Sequence, residues 1–380
     1  MAGSLDGIRV VELGQVFAGP FAGAILADLG ASVIKVERTD GGDDARRMGK
    51  AFRHDDALNF HIFNRGKQSV ALDLKRAGDR AALERLVGAA DVFVHNLRPD
   101  VPEALGLSPA ALCARHPKLI YCEISAFGAV GPLRLRPGYE PLVQAYSGLF
   151  SINGGPDQPP LRAGAALCDQ GSGMWAVIGI LSLLHRRQTS GRGGVVTTSL
   201  LETAMMWAVQ AVESYANEGK VQERNATGHP AFFPYEAFPT ADGALLICAG
   251  NDRLFAKLAA TLGRPDWPAD PRYADNRARV AHRATLGLEL SAILRTAPRD
   301  AWAAKLEAAG VPCSPIHSIP EALAQPQVAA LGMRQTVPGQ DFALTALPLS
   351  LDGVRPAIRS AAPLLGEHTE AVLAAQLATS

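Results

Sequence analysis

Along the first 130 residues, apolar and polar positions switch between two periods. Arg9-Val-Val-Glu-Leu-Gly14 has the pattern of a short buried strand, and Gly19-Pro20 that of a turn with proline at a helix start. Residues 21–29 then form an amphipathic helix closed by Gly30, and 31–37 a second strand. The alternation continues with a strand over 69–74, a helix over 78–89, and strands over 91–95 and 119–125. Such βαβ repetition predicts an α/β, Rossmann-like large domain built on a parallel, doubly wound sheet.

Between residues 171 and 187, Met174, Trp175, Val177, Ile178, Ile180, Leu181 and Leu184 cover most of a helical surface, which predicts a helix buried at the centre. The polar run 189–194 stops it, and a second helix over 200–217 leads into the charged, glycine-containing stretch 218–230, a linker by composition. Residues 235–248 have the pattern of a hairpin turning at Asp242-Gly243, followed by helices over 252–262 and, interrupted near Pro298, over 283–306. The expected organisation is a large domain over 1–217, completed by 325–380, and a smaller α+β domain over 231–324. The tail supplies strand-like pieces and a final helix after Gly366.

A chain of 380 residues, 48 % hydrophobic and 19 % charged, can bury a large core and divides naturally into two domains. Its 37 Lys and Arg balance 37 Asp and Glu, so no global field favours nucleic acid or an anionic membrane, although a local basic patch can still bind a phosphorylated ligand. Residues 1–9 contain no apolar run, and the stretch near 175–184 is too short to span a bilayer, so the expected location is cytoplasmic, without membrane association. The five cysteines (Cys113, Cys122, Cys168, Cys248, Cys313) are never in CxxC spacing and the nine histidines show no ligand spacing; neither a disulfide framework nor a metal site is expected.

A parallel sheet first suggests a dinucleotide enzyme, with Glu37 holding a ribose hydroxyl. Gly14, Gly19 and Gly23 are not GxGxxG, which argues against close approach of a pyrophosphate. A basic, polar set follows the predicted strands: Arg38, Arg46, Arg47, Asn64-Arg-Gly-Lys67, Lys75-Arg76 and Asn96-Leu-Arg98. These groups suit phosphates at the carboxyl edge of a sheet, or form a solvated surface. Asp169 precedes the central helix. It is either a helix cap or a nucleophile kept ionised by the helix terminus, with the glycines beside it admitting a bulky substrate. Cys168 has no histidine nearby in sequence to activate it and is read as a buried thiol.

Taken in order, several segments resemble the class III coenzyme A transferase family, which includes formyl-CoA transferase, carnitine CoA-transferase and, as a branch, α-methylacyl-CoA racemase. They are 5–13 with Ala18-Gly-Pro20, 29–38, Gly42-Asp43 with Arg46, 64–67, 72–75, 91–96, 164–169, 189–193, 238–243 and 363–369. The resemblance implies a CoA-transferase moving CoA from an acyl-CoA, succinyl-CoA being the expected donor, to a small carboxylic or dicarboxylic acid. Asp169 matches the catalytic aspartate, which passes through mixed anhydrides and an aspartyl-CoA thioester, with Glu140 in support. Backbone amides near Gly171 and Gly173, or from the facing small domain, are the expected oxyanion donors. Positions matching CoA contacts are Val16, Phe17, Arg38, Leu72, Asp73, Leu74, Lys75, Asn96, Leu97, Arg98, Arg136, Gly138 and Tyr139.

CoA would be a substrate, with no tightly bound cofactor. The family's usual basic residue is Ala104 here, so a phosphate contact is either lost or supplied by Arg98 or Arg136, and no glycine-rich loop occurs around 227–235, which disfavours oxalate as acceptor. Two alternatives stand beside the transferase. A racemase would use a histidine where Tyr139 stands, and a non-catalytic CoA-binding protein would bind without exchange. The resemblance also implies a homodimer of interlocked rings.

Overall fold

The computed structural model describes residues 3–377; the ends of the stretches 1–9 and 325–380 lie outside the described residues. Two units divide the chain. The first takes residues up to 149, 162–212 and those from 331 on, and the second takes 150–161 and 213–330.

The first unit is built on six strands: β1 (Arg9–Leu13), β2 (Ser32–Glu37), β3 (Lys67–Ala71), β4 (Val92–His95), β5 (Ile120–Ser125) and β6 (Gly194–Ser199). They pair in parallel in the order β3-β2-β1-β4-β5-β6, a doubly wound sheet whose order reverses between β1 and β4. Adjacent side chains point to opposite faces, so Val10, Val94 and Cys122 enter one core while Val11, Phe93 and Tyr121 enter the other. Helix α1 (Ala18–Asp28) covers the first face, and α2 (Ala77–Gly88) the second with Leu83, Leu86 and Val87.

Helices α3 (Glu140–Tyr146), α4 (Leu167–Ser190) and α5 (Leu200–Trp207) complete the α1 side. The long helix α4 runs closely along α1. A Cβ on its Gly173 would lie 2.9 Å from the Ala18 carbonyl oxygen. It ends at Gly191, whose φ of 67° is the left-handed conformation usual at this position.

Three expectations change here. The helix read over 171–187 begins four residues earlier, and Met174 and Ile178 are 46 % and 50 % exposed, so only one flank of it is buried in the chain. At 24 residues it also meets the length and hydropathy of a membrane span, contrary to the sequence reading, while its inner flank lies in the core of this unit. Strand β6 escaped the reading because Gly194-Val-Val-Thr-Thr-Ser199 sits at the sheet edge, directly after the polar run that stops α4.

The second unit holds a three-stranded antiparallel sheet of β7 (Tyr235–Pro239), β8 (Ala244–Cys248) and β9 (Cys313–Pro315). Helices Asp252–Thr261, Arg283–Leu294 and Arg299–Ala308 cover it around Phe255, Trp267, Leu286 and Leu306.

Under the turn that joins β1 to α1 lies a buried set of charges. Lys35 Nζ sits 2.9 Å from Glu12 and 2.8 Å from Asp43, and Lys67 Nζ sits 2.6 Å from the other Glu12 oxygen. The ammonium groups also donate to the carbonyls of Gly14 and Pro20, each at 2.9 Å. Burial opposes the charge on Lys35, but the carboxylates of Glu12, Asp43 and Glu37 outweigh it and raise its pKa; burial dominates at Lys67 and lowers it to about 8. Gly23 is needed because a Cβ there would meet Glu12 Oε2 at 1.9 Å.

Lys35→Met would leave two buried carboxylates short of a partner. A loss of about 3–5 kcal/mol in denaturant unfolding is expected; an unchanged midpoint would contradict this description of the network.

Candidate active site

The carboxyl ends of the strands carry two adjoining cavities, where an open α/β sheet leaves its crevice. The first, about 400 Å³, lies at the reversal of strand order, lined by Gln15–Ala18 after β1, Asn96–Pro99 after β4 and Ile124–Ala126 at the end of β5. Arg134, residues 136–140, Val101, Leu200 and Asp169 complete its wall. The second, about 540 Å³, is bounded by Val36–Asp40 after β2 and Leu72–Lys75 after β3. Gln15, Leu97 and Val101 belong to both, so the two share a wall and adjoin.

The floor of this cleft is a tightly held turn. Asn96 accepts the Gln15 amide at 2.8 Å and donates to the Gln15 carbonyl at 2.8 Å. The next amide, of Val16, donates to Asp43 at 3.0 Å. Gly19 leaves room for Asn96, since a Cβ there would stand 3.1 Å from the amide oxygen. The glycines of the first turn therefore serve side chains of the protein itself.

Asp169 is half-buried at the α4 end of the cleft. It occupies the first turn of α4, not the cap position the sequence suggested; the cap is Ala166, whose side chain has nothing to offer. Glu140 does the capping instead. Its buried carboxylate, at the first residue of α3, accepts the Cys168 amide at 3.1 Å and the Asp169 amide at 2.8 Å. Gln144, one turn on, donates to Glu140 at 2.6 Å and accepts the Ala163 amide at 3.0 Å. Trp207 Nε1 donates to the Leu167 carbonyl at 3.1 Å.

The helix terminus was expected to keep Asp169 ionised. Here its free amides are satisfied by another carboxylate, so burial, and after it the negative charge of Glu140, push Asp169 up to about 7. Both its ionised and its neutral form are then populated near neutral pH. Burial, with Glu140 adding to it, pushes the Cys168 thiol up, which leaves it unionised.

Of the residues singled out by sequence, Val16, Phe17, Asn96, Leu97, Arg98, Arg136, Gly138, Tyr139, Glu140 and Asp169 line the first cavity. Arg38, Leu72, Asp73, Leu74 and Lys75 line the second. Gly171 and Gly173 line neither. They lie inside α4, where amides bond to the preceding turn, and serve packing: Cβ atoms there would stand 2.6 Å from Thr203 and 2.9 Å from the Ala18 carbonyl. The expectation of oxyanion donors and of loose backbone at Gly171 and Gly173 is corrected accordingly, while Gly164 on the other side of Asp169 stands in open space.

Part of the basic set also changes role. Arg46 is buried against Glu37 and Asp56 at 2.8 and 2.7 Å, Arg65 against Asp28 at 2.6 Å, and Lys67 against Glu12; they are neither phosphate ligands nor solvated charges. Glu37 is thereby occupied by Arg46 and by Ser69 at 2.6 Å, not open to a ribose. The sequence reading missed Gln144, Gln15 and Arg134. The i, i+4 spacing of Glu140 and Gln144 was the available signal for the first. Among the described residues, no cluster of three or more His, Cys, Asp or Glu could hold a metal ion.

The family model described as CoA-transferase family III matches residues 5–369. The succinate–glutarate CoA-transferase of Agrobacterium fabrum is 41 % identical, over 97 % of this chain and 95 % of that protein. The acetyl-CoA:oxalate CoA-transferase of Acetobacter aceti is 36 % identical over the same shares, 97 % and 95 %. Among solved structures, a CAIB/BAIF family protein from Brucella suis superimposes with a TM-score of 0.90 at 35 % identity, covering 99 % of this chain and all of that one (100 %).

Removing the Glu140 charge should move the Asp169 titration down from about 7, yet leave it above the ordinary aspartate range because burial is the larger cause. Carbon-13 NMR of aspartate-labelled protein, assigned with Asp169→Asn, would show the shift in Glu140→Gln; an unmoved midpoint would refute the electrostatic description.

Proposed function

Because the chain belongs to CoA-transferase family III and is an enzyme of that class, we propose that it moves CoA from succinyl-CoA to a small dicarboxylic acid with Asp169 as covalent nucleophile. The observation that carries this reading is the partly desolvated Asp169 carboxylate in one cavity and, in the cavity adjoining it, the cationic side chains of Arg38 and Lys75. Lys75 is exposed and, among the described residues, has no acidic partner in an ion pair, which suits it to a phosphate. The nucleotide end of CoA would occupy the cavity between Arg38 and Leu72–Lys75. The pantetheine arm would pass Asn96–Arg98 and the Val16–Phe17 turn, with Arg136, Gly138 and Tyr139 opposite. Arg98 or Arg136 would take the phosphate contact that Ala104 cannot make.

The chemistry then follows from a carboxylate that burial has partly desolvated. An Asp169 oxygen attacks the thioester carbon, the C–S bond breaks, and a mixed anhydride and a CoA thiolate form. The thiolate attacks the aspartyl carbonyl, which releases the donor acid and leaves an aspartyl-CoA thioester. The acceptor carboxylate attacks that thioester and expels the thiolate again. Attack of the thiolate on the acceptor's acyl carbon returns Asp169 to its carboxylate. No water enters, so the energy of the thioester is kept. Glu140 holds the start of α4 still and lifts the basicity of Asp169, which strengthens it as a nucleophile at the cost of its ionised fraction.

The relatives named above act, by their names, on succinate, glutarate and oxalate. An acceptor of this chain is therefore sought among dicarboxylates, oxalate included. A racemase would need a second base, and Tyr139 offers a phenol where an imidazole would serve. The proposal includes the interlocked homodimer and a cytoplasmic location. The exposed apolar flank of α4, with Met174, Ile178 and Leu181 beside Met206 and Trp207 of α5, is the face a second copy would cover. Light scattering should give a dimer mass at micromolar concentration, and a monomer would contradict that part.

With succinyl-CoA and a panel of glutarate, malate and oxalate, the wild type should transfer CoA and Asp169→Ala should lose at least about a thousandfold in rate. Deuterium exchange at an acyl-CoA α-carbon without transfer would favour the racemase, and binding without either would favour a non-catalytic role. Since only ionised Asp169 attacks, the single-turnover rate should rise with pH through about 7 and be lost below it.

A further inference from the structure

We infer that Asp43, which lines neither cavity, is a positioning residue for the transfer site, holding the Val16 amide and with it the left-handed turn that forms the cleft floor. The inference rests on the proposed reading of that cleft.

Val16 has a φ of 66°, a conformation that β-branched residues almost never adopt unless their surroundings impose it. The preceding residue is fixed at both backbone polar atoms by Asn96, but the Val16 amide has a different holder. Asp43 Oδ1 accepts it at 3.0 Å and also accepts the Ala45 amide at 2.9 Å. The other oxygen, Oδ2, faces the buried ammonium of Lys35 at 2.8 Å, and the Asp43 amide donates to Glu37 at 2.9 Å. Asp43 is thus held on both sides and aims one oxygen at the single strained residue of the turn. Without that acceptor Val16 would lose the bond that favours positive φ, and Val16 with Phe17 would swing relative to Asp169, which lines the same cavity.

Glycine tolerates this φ without a holder, which gives a test that separates positioning from folding. Asp43→Ala should lower the single-turnover transfer rate about 30-fold with Val16 in place, the scale of a small misplacement of reacting groups. In a Val16→Gly background the same change should cost less than about threefold. Asp43→Asn has one acceptor oxygen where Asp43 uses two, one for the amides and one for Lys35; it should lose stability, and any loss of rate should shrink in the Val16→Gly background.

Equal factors in the two backgrounds, for Asp43→Ala or for Asp43→Asn, would overturn the inference. If Asp43→Ala does not fold, Asp43→Asn decides alone. A wild type that transfers no CoA would defeat the proposed function instead, and the same cycle read on the CoA dissociation constant would still test Asp43.

Discussion

Two lysine ammonium groups buried beneath the first βα turn hold together everything the cleft needs. Lys35 and Lys67 share Glu12 between them, and each also reaches a carbonyl at one end of the turn, Gly14 or Pro20. Buried charges are costly unless each is paired and its remaining hydrogen-bonding capacity is met. Here the backbone of the turn meets that need, so the charges and the turn fix each other. Gly23 leaves the space that the Glu12 carboxylate occupies between the two ammonium groups.

A second carboxylate shapes the chemistry. Glu140 takes the amides at the start of α4 that would otherwise stabilise a negative charge on Asp169. The arrangement rigidifies the nucleophile and raises its basicity in one step, because the same carboxylate that caps the helix repels the neighbouring one. Gln144 locks Glu140 in turn, and the packing of Gly171 and Gly173 against α5 and α1 sets where α4 begins.

The α/β alternation made the doubly wound sheet legible in sequence, since the inner strands bury both faces and read as apolar runs; the half-exposed edge strand β6 does not. The ordered motifs brought Asp169, Glu140 and the cleft-lining segments with them. What stayed hidden depended on partners far apart in the chain. Arg46 and Lys67 look like phosphate ligands until Glu37 and Glu12 are seen to neutralise them. Gly171 and Gly173 look flexible until Thr203 and Ala18 are seen against them. The lifted titration of Asp169 could not be read at all, because it arises from burial and from a residue 29 positions away.

The most direct test is mass spectrometry of the protein incubated with succinyl-CoA and quenched with hydroxylamine, wild type beside Asp169→Ala. The account predicts a hydroxamate on Asp169 in the wild type and none in the variant. An unmodified Asp169 in a wild-type protein that is transferring CoA would contradict it.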